Sequence, residues 1–144
     1  MTVKFKRLTE TATIPKFAHE GDSGMDVCSD ESLSIIPNSW ALVNTNVAAV
    51  IPKGFEIQVR GRSGLQCKRG ILCAVGTVDE GYRGGISVAL YNLSSDVFLI
   101  EPGDRIAQLV LASVSRPEIE EIEEIDTNTM RGASGFGSTG MKGL

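Results

Sequence analysis

Frequent turn residues divide the chain into many short apolar segments, and this division constrains the fold more than any other feature. Phe55–Arg60 is the clearest segment, because its apolar and polar residues alternate as in a half-buried strand. Turns rich in glycine and proline, such as Pro52–Gly54 and Glu101–Asp104, separate such segments. This arrangement is typical of a sandwich or barrel, so we predict an all-β fold.

Other segments fit the same pattern. Strands are predicted at Val3–Leu8, Leu33–Ile36, Trp40–Val50, Ile86–Tyr91, Val97–Ile100 and Arg105–Val114. The continuous apolar run Val97–Ile100 predicts a fully buried strand. A short helix is predicted at Ser63–Arg69, with the Ser63 hydroxyl as its cap.

The segment Pro117–Asp126 has two possible conformations. Its three isoleucines recur at a spacing that suits a helix, but β-branched residues and repulsion between its six acids disfavour one. We interpret it as an extended, solvated segment without a catalytic role.

Composition excludes several classes of protein. The 144 residues suit one domain, and the net charge of −4 argues against a general binder of nucleic acids or membranes. No apolar run approaches the length of a membrane span. Three cysteines and one histidine cannot complete a zinc site, so any metal is expected to bind oxygen ligands. An odd cysteine count without a secretory signal predicts a cytoplasmic protein, or a nuclear one in a eukaryotic or viral setting.

The turn Gly76–Gly84 combines a carboxylate, a phenol and a guanidinium, supplied by Asp79, Tyr82 and Arg83, with several glycines. Glycine permits positive φ and close backbone approach, so the turn could surround a ligand. Apolar residues on both sides predict a hairpin with the chemical groups at its mouth. The alternative is that Asp79 only caps its own turn.

Two further segments could bind an anion. Arg62–Gly64 places free amides, a hydroxyl and a guanidinium at the start of the predicted helix, although a simple cap is the alternative. Gly103–Gln108 offers Asp104, Arg105 and Gln108, which could equally form a turn with an ordinary ion pair. Asp26 is interpreted as a buried structural acid in preference to a residue near a metal.

The composition changes after Asp126. Residues 127–144 offer few apolar side chains to bury, so we predict a core of residues 1–126 followed by a flexible glycine- and serine-rich arm. A disordered terminus is one alternative. We favour a lid that orders over a ligand, because Arg131 supplies charge and Phe136 a stacking surface.

Five segments, taken together and in this order, resemble the five motifs of the trimeric dUTPase (dUTP pyrophosphatase) family over essentially the whole chain. They are Ser23–Val27, Gly61–Lys68, Gly76–Gly84, Gly103–Val110 and Arg131–Gly140. The resemblance implies a distorted jelly-roll (β-clip) subunit and a homotrimer whose active sites combine segments of all three chains. It also implies Mg²⁺-dependent hydrolysis of dUTP to dUMP and pyrophosphate, which limits uracil incorporation into DNA and supplies dUMP for dTMP synthesis.

The resemblance also implies roles for individual residues. Asp79 would be the general base, Tyr82 would exclude a 2′-hydroxyl, and Asp26 would lie near the water shell of a Mg²⁺ carried by the substrate phosphates. The residues implied to bind substrate are Arg62, Ser63, Gly64, Gly76, Val78, Tyr82, Gln108, Arg131, Phe136, Gly137, Ser138 and Thr139. Among them, Arg131 would reach the γ-phosphate and Phe136 would stack on uracil.

Three residues depart from the family pattern: Gly61 stands where proline is usual, Gln66 where a small residue is usual, and Cys73 where many relatives carry a polar residue. Gly61 could loosen the phosphate loop. The cysteine at position 73 puts a side-chain contact to uracil in doubt. Two rival functions remain, a related dCTP deaminase and a catalytically silent binding protein. The full set of proposed catalytic side chains favours the pyrophosphatase.

Overall fold

The structure, a computed structural model, describes residues 1–135, and within them it contains eleven β-strands and one short helix. The elements are β1 (Lys4–Arg7), β2 (Met25–Cys28), β3 (Leu33–Ile35), β4 (Ser39–Asn44), β5 (Val47–Val50), β6 (Phe55–Arg60), α1 (Ser63–Arg69), β7 (Ile71–Cys73), β8 (Gly76–Val78), β9 (Ser87–Asn92), β10 (Phe98–Ile100) and β11 (Arg105–Ser113). The predicted all-β class with one short helix is confirmed.

The strands form four antiparallel sheets, which together make a distorted jelly roll. The larger two have the orders β2-β11-β6-β8 and β4-β9-β7, and the smaller two are the pairs β1-β5 and β10-β3. β11 lies at the centre of the first sheet, where Gln108 pairs with Asp26 on one side and with Arg60 on the other. This register brings the motif residues of three separate segments to one end of the sheet.

One apolar core lies between the two larger sheets. Val27, Ile57 and Leu109 of the first sheet, and Val43 and Leu90 of the second, are fully buried in the same cluster. Each such side chain contributes about 1.5–3 kcal/mol through its burial. The core therefore holds both sheets, and with them the loops at their ends, in fixed positions.

The segment Trp40–Val50 forms two strands, so the prediction of one long strand is wrong. Asn46 has a φ of 49°, which breaks the extended conformation between β4 and β5. Its side-chain amide donates to Asp30 Oδ2 at 2.8 Å, which stabilises this bend. β4 consequently pairs with β9, whereas β5 pairs with β1.

The prediction of a fully buried strand at Val97–Ile100 is also wrong. Within residues 1–135, β10 pairs only with β3, and Leu99 is 69% exposed while Ile100 is buried. Successive strand residues point to opposite sides, so one face of this short strand is left uncovered by the described residues.

The helix has the predicted bounds, but Ser63 is not its cap. Arg62 is the N-cap residue, and no side chain caps the first turn. Gly70 ends the helix in a left-handed conformation, with a φ of 66°. Pro117–Asp126 is neither helix nor strand and is exposed, as predicted. Across residues 1–135, no helix has the length and apolar character needed to cross a bilayer.

Candidate active site

A cavity of about 680 Å³ opens at the start of α1 and is lined mostly by polar side chains. Its walls come from the loop before β2, from the helix and from β11. The lining residues are Ala18, His19, Asp22, Ser23, Gly24, Asp26, Arg62, Ser63, Gly64, Leu65, Arg69, Arg105 and Gln108. The structure thus brings together the predicted residues Arg62, Ser63, Gly64, Gln108 and Asp26.

Asp26 holds two arginines at this cavity. Its Oδ1 lies 3.1 Å from Arg62 Nε, and its Oδ2 lies 3.1 Å from Arg105 Nη1. The Asp26 side chain is only 15% exposed, which agrees with its interpretation as a largely buried structural acid. Two cations and one anion leave a net positive charge, so the cavity attracts a polyanion.

The Arg62 guanidinium is fixed by one further contact. Its Nη1 donates to the Arg105 carbonyl oxygen at 3.0 Å, so Nε and Nη1 are both engaged. Nη2 has no partner within residues 1–135 and remains available to a ligand oxygen. Arginine that is held in this way loses little conformational entropy when it binds phosphate.

The first turn of α1 supplies backbone donors. The Leu65 and Gln66 amides donate to the Arg62 carbonyl oxygen at 3.1 and 3.0 Å. The amides of Ser63 and Gly64 precede these and have no helical acceptor, as is usual at a helix start. Open space lies above Gly64, since a Cβ there would meet nothing within 4 Å. A ligand can therefore approach this backbone closely.

Gln108 connects three segments. Its Nε2 donates to the Gly61 carbonyl oxygen at 3.0 Å, and a Cβ at Gly24 would collide with its Oε1. A side chain at Gly24 would therefore push the Gln108 amide from its present position in the cavity wall.

The departures at Gly61 and Gln66 fit one another. A Cβ at Gly61 would collide with the Gln66 side-chain amide. The long side chain of Gln66 thus occupies the space that the missing side chain of Gly61 leaves. The effect of Gly61 on the stiffness of the phosphate loop stays a prediction.

A second cavity, of about 320 Å³, lies at the mouth of the predicted hairpin. It is lined by Leu42, Val59, Gly76, Thr77, Val78, Asp79, Tyr82, Gly85, Ile86 and Ser87. β7 pairs with β9 as the hairpin predicts, but β8 leaves this sheet and pairs with β6. The cavity therefore lies where the two larger sheets separate, and it contains Gly76, Val78, Asp79 and Tyr82.

The loop from Asp79 to Gly85 is held by its own hydrogen bonds. The Tyr82 amide donates to the Asp79 carbonyl oxygen at 3.0 Å, and the Tyr82 hydroxyl donates to the Gly85 carbonyl oxygen at 3.1 Å. The absence of a side chain at Gly84 leaves room for the Tyr82 ring, because a Cβ there would collide with the phenol. The ring is therefore fixed as a wall of the second cavity.

The Asp79 carboxylate is exposed and forms no hydrogen bond or ion pair with any residue in the described part of the chain. The hypothesis that it only caps its own turn is therefore not supported by a contact. A carboxylate without a partner, beside a cavity, can accept a proton from a bound water.

Cys73 belongs to neither cavity. It is buried on β7, and its thiol donates to the Ala74 carbonyl oxygen at 3.2 Å. Burial raises the pKa of the Cys73 thiol to about 11, so the group stays protonated at neutral pH. We assign it a packing role.

The two cavities share no lining residue. Arg131 lines neither of them; its Nε donates to the Ser134 carbonyl oxygen at 3.2 Å in an exposed turn. The predicted residues Phe136, Gly137, Ser138 and Thr139 lie outside the described residues. Within residues 1–135, no group of three or more His, Cys, Asp or Glu side chains could hold a metal ion.

Sequence reasoning missed several lining residues, of which Arg69, Leu42 and Ser87 are examples. Arg69 lies at the far end of α1, Leu42 lies on β4, and Ser87 begins β9. Arg69 could have been identified from the sequence, because it follows Arg62 by seven residues, a spacing that places both on the same face of a helix. Leu42 and Ser87 carry no local signal, because only the packing of separate strands brings them to the cavity.

Comparisons with known proteins agree with these features. The dUTPase family model matches residues 10–140. The deoxyuridine 5′-triphosphate nucleotidohydrolase of Zymomonas mobilis is 48% identical over 96% of this chain and 97% of its own length. The enzyme of the same name from Clostridium novyi is 45% identical over 98% of this chain and the whole of its own length.

A solved structure has the same fold. A variant of the dUTPase of Staphylococcus bacteriophage 80alpha, solved with dUpNHpp, superposes with a TM-score of 0.90 at 29% identity. The match covers 96% of this chain and 98% of the phage protein. Given the family match, the near full-length relatives and the shared fold, the chain belongs to the dUTPase family.

Proposed function

We propose that this chain hydrolyses dUTP to dUMP and pyrophosphate. The observation that carries the proposal is the pairing of an arginine-rich cavity with a separate cavity that contains the unpartnered carboxylate of Asp79. A nucleoside triphosphate needs both environments, one for its phosphates and one for its sugar and base. Family membership and the dUpNHpp bound to the phage 80alpha enzyme support this substrate.

The phosphates bind in the first cavity. Arg62 donates through Nη2, the amides of Ser63 and Gly64 donate from the helix start, and Gln108 lies beside them. Hydrolysis of a polyphosphate accumulates negative charge, so fixed donors and cations lower its barrier.

The nucleoside binds in the second cavity. Tyr82 packs against the deoxyribose, where its ring leaves no space for a 2′-hydroxyl. β8 lies at the edge of its sheet, so Gly76 and Val78 can offer backbone groups to uracil. Cytosine reverses the donor and the acceptor at that edge, and such a mismatch can reject a base by about 10⁴-fold.

Asp79 acts as general base. It orients a water, accepts its proton as the oxygen attacks the α-phosphorus, and pyrophosphate leaves with the bond electrons. A positioned carboxylate contributes roughly 10²–10⁴-fold to such a step.

Magnesium is the proposed cofactor, carried by the triphosphate. No carboxylate cage is present within residues 1–135, and each oxygen of Asp26 already accepts from an arginine. Asp26 would therefore reach the ion only through water. When bound, Mg²⁺ would neutralise phosphate charge. Phosphate oxygens and water would supply most of its ligands.

We further propose a homotrimer. Because the two cavities share no residue, one chain alone does not join Asp79 to Arg62, whereas a neighbouring chain could. Trp40 and Tyr91 stack with ring centroids 6.1 Å apart on the outer face of the β4-β9-β7 sheet. Trp40 is 60% and Leu42 56% exposed in the single chain, and an apolar face of this kind marks an interface.

The arm, residues 127–144, is proposed to close over the substrate from a neighbouring chain. Arg131 would reach the γ-phosphate and Phe136 would stack on uracil, while Gly137, Ser138 and Thr139 wrap the phosphates. The exposed position of Arg131 is compatible with such a contact.

The three cysteines, Cys28, Cys67 and Cys73, are free. Free thiols suit a reducing compartment, so we propose a cytoplasmic location, or a nuclear one in a eukaryotic or viral host.

The test of the function is pyrophosphate release from dUTP, UTP, dCTP and dTTP, each with and without Mg²⁺. We expect rapid release from dUTP alone, and a large loss of rate when EDTA removes the metal. Ammonia release from dCTP would indicate a deaminase and contradict the proposal.

Replacing Tyr82 by alanine should raise kcat/KM for UTP relative to dUTP by at least about tenfold, since the cavity gains room for a 2′-hydroxyl. The ratio is measured with both nucleotides in parallel. Tyr82→Phe is the control, because it keeps the ring and should keep the selectivity. An unchanged ratio in Tyr82→Ala would show that Tyr82 does not select the sugar.

A further inference from the structure

The loop that carries Asp79 is attached to the rest of the chain through its neighbour, Glu80. Glu80 Oε2 accepts a hydrogen bond from the Gly54 amide at 2.8 Å, in the turn between β5 and β6. The same oxygen lies 3.2 Å from Arg116 Nη2. One carboxylate thus connects two segments that are distant in sequence from it.

Gly54 connects these segments a second time. Its carbonyl oxygen accepts from the Val114 amide at 2.9 Å, just after the end of β11. Gly54 has a φ of 80°, which favours glycine at this position. The Asp79 loop, the β5–β6 turn and the start of the C-terminal segment therefore meet at one point.

The electrostatic environment keeps Glu80 charged. The hydrogen bond from the Gly54 amide, followed by the Arg116 charge, holds the pKa of the Glu80 carboxyl below its usual value. The two contacts therefore favour the charged form of Glu80, which is the form that holds both partners.

The other side-chain hydrogen bonds of the loop, within residues 1–135, are internal. Arg83 Nη1 donates to the carbonyl oxygens of Glu80 and Tyr82, each at 2.7 Å. The carboxylate of Asp79 has no partner within residues 1–135. The position of Asp79 is therefore set by the backbone beside it, and within residues 1–135 Glu80 is the side chain of this loop that bonds to segments outside it.

Arg116 precedes Pro117, which restricts its backbone to extended conformations. The residues after it lead to the arm. The contact between Glu80 and Arg116 thus joins the loop that carries Asp79 to the point where the C-terminal segment leaves the sheet.

From this geometry we propose that Glu80 is a positioning residue, which orients Asp79 for hydrolysis and couples its loop to the C-terminal segment through Arg116. The catalytic part of this inference rests on the proposed hydrolysis of dUTP. Misplacing a reacting group by about 1 Å can cost about 10²-fold in rate, whereas an exposed ion pair contributes little to folding stability. A positioning role therefore predicts a large effect on kcat and a small effect on Tm.

Glu80→Ala should lower kcat for dUTP by about 10–10²-fold with KM nearly unchanged, because Glu80 itself does not contact substrate. Glu80→Gln can still accept from Gly54, so it should recover most of the lost rate. The matched control is Asp30→Ala, which removes another carboxylate with a lowered pKa, bonded to Thr9 and Asn46 away from both cavities. It should lower Tm at least as much as Glu80→Ala and leave kcat within about twofold of the parent.

Amide hydrogen exchange supplies a readout that does not depend on activity. Glu80→Ala should speed exchange in Asp79–Arg83 and in Val114–Arg116 together, and Arg116→Ala should speed exchange in Asp79–Arg83. Unchanged exchange in both segments would overturn the inference whatever the enzyme does, and an unaffected loop in Arg116→Ala would overturn the coupling. Faster exchange with normal kcat would overturn the positioning role. A parent protein that released no pyrophosphate from dUTP would instead contradict the proposed function.

Discussion

Replacing Asp79 by asparagine should lower kcat for dUTP by about 10²–10⁴-fold, because an amide of the same shape cannot accept the proton of the attacking water. Tm should change little, since the Asp79 carboxylate is exposed and has no partner within residues 1–135. The measurements are pyrophosphate release at saturating dUTP and thermal unfolding of the same preparations.

The control for this variant is Asp96→Asn. Asp96 is an exposed acid before β10, and it lines neither cavity. Its kcat should equal that of the parent. A kcat for Asp79→Asn within tenfold of the parent would show that another group activates the water.

Replacing Arg62 by alanine should lower kcat/KM for dUTP by about 10²–10³-fold, the usual cost of removing one fixed donor from a charge-stabilising site. The fold should persist, because Asp26 keeps its ion pair with Arg105. Affinity for deoxyuridine, which carries no phosphate, should not change, since Arg62 lies outside the second cavity.

Arg60→Ala provides the matched control, because Arg60 donates to Gln58 on the same strand, β6, and lines neither cavity. It should keep the kcat/KM of the parent. Equal losses of affinity for dUTP and for deoxyuridine in Arg62→Ala would contradict the division of the site into a phosphate cavity and a nucleoside cavity.

Local sequence patterns predicted much of the fold. Alternation in Phe55–Arg60 identified β6, and the predicted bounds of α1 are correct although Ser63 does not cap the helix. The break at Asn46 was not predicted, because its side chain is held by Asp30, sixteen residues away. The exposure of Leu99 was not predicted either, since apolar content alone does not tell which side of a strand is covered.

The candidate site was predictable to a similar extent. The site residues were named from the resemblance, which also implied that each active site combines segments of different chains. Their division into two cavities required coordinates, because β8 leaves its hairpin to pair with β6, and no local pattern encodes that pairing. The mutual fit of Gly61 and Gln66 also required coordinates, since the sequence suggested only that Gly61 could loosen the loop.

The separation of the cavities is the central feature of this account. If Asp79 of one chain and Arg62 of another form each active site, then assembly is part of catalysis. In a closed trimer every chain has equivalent neighbours. Each site would then consist of the phosphate cavity of one chain and the nucleoside cavity of another.

The most direct test mixes the two inactive variants. Asp79→Asn and Arg62→Ala chains, carrying different affinity tags, are co-expressed, and pyrophosphate release from dUTP is measured on the co-assembled enzyme. In a random equal mixture about one quarter of the sites would contain both parent residues, so activity should recover to about a quarter of the parent value. Activity no higher than that of either variant alone would contradict a site built between chains.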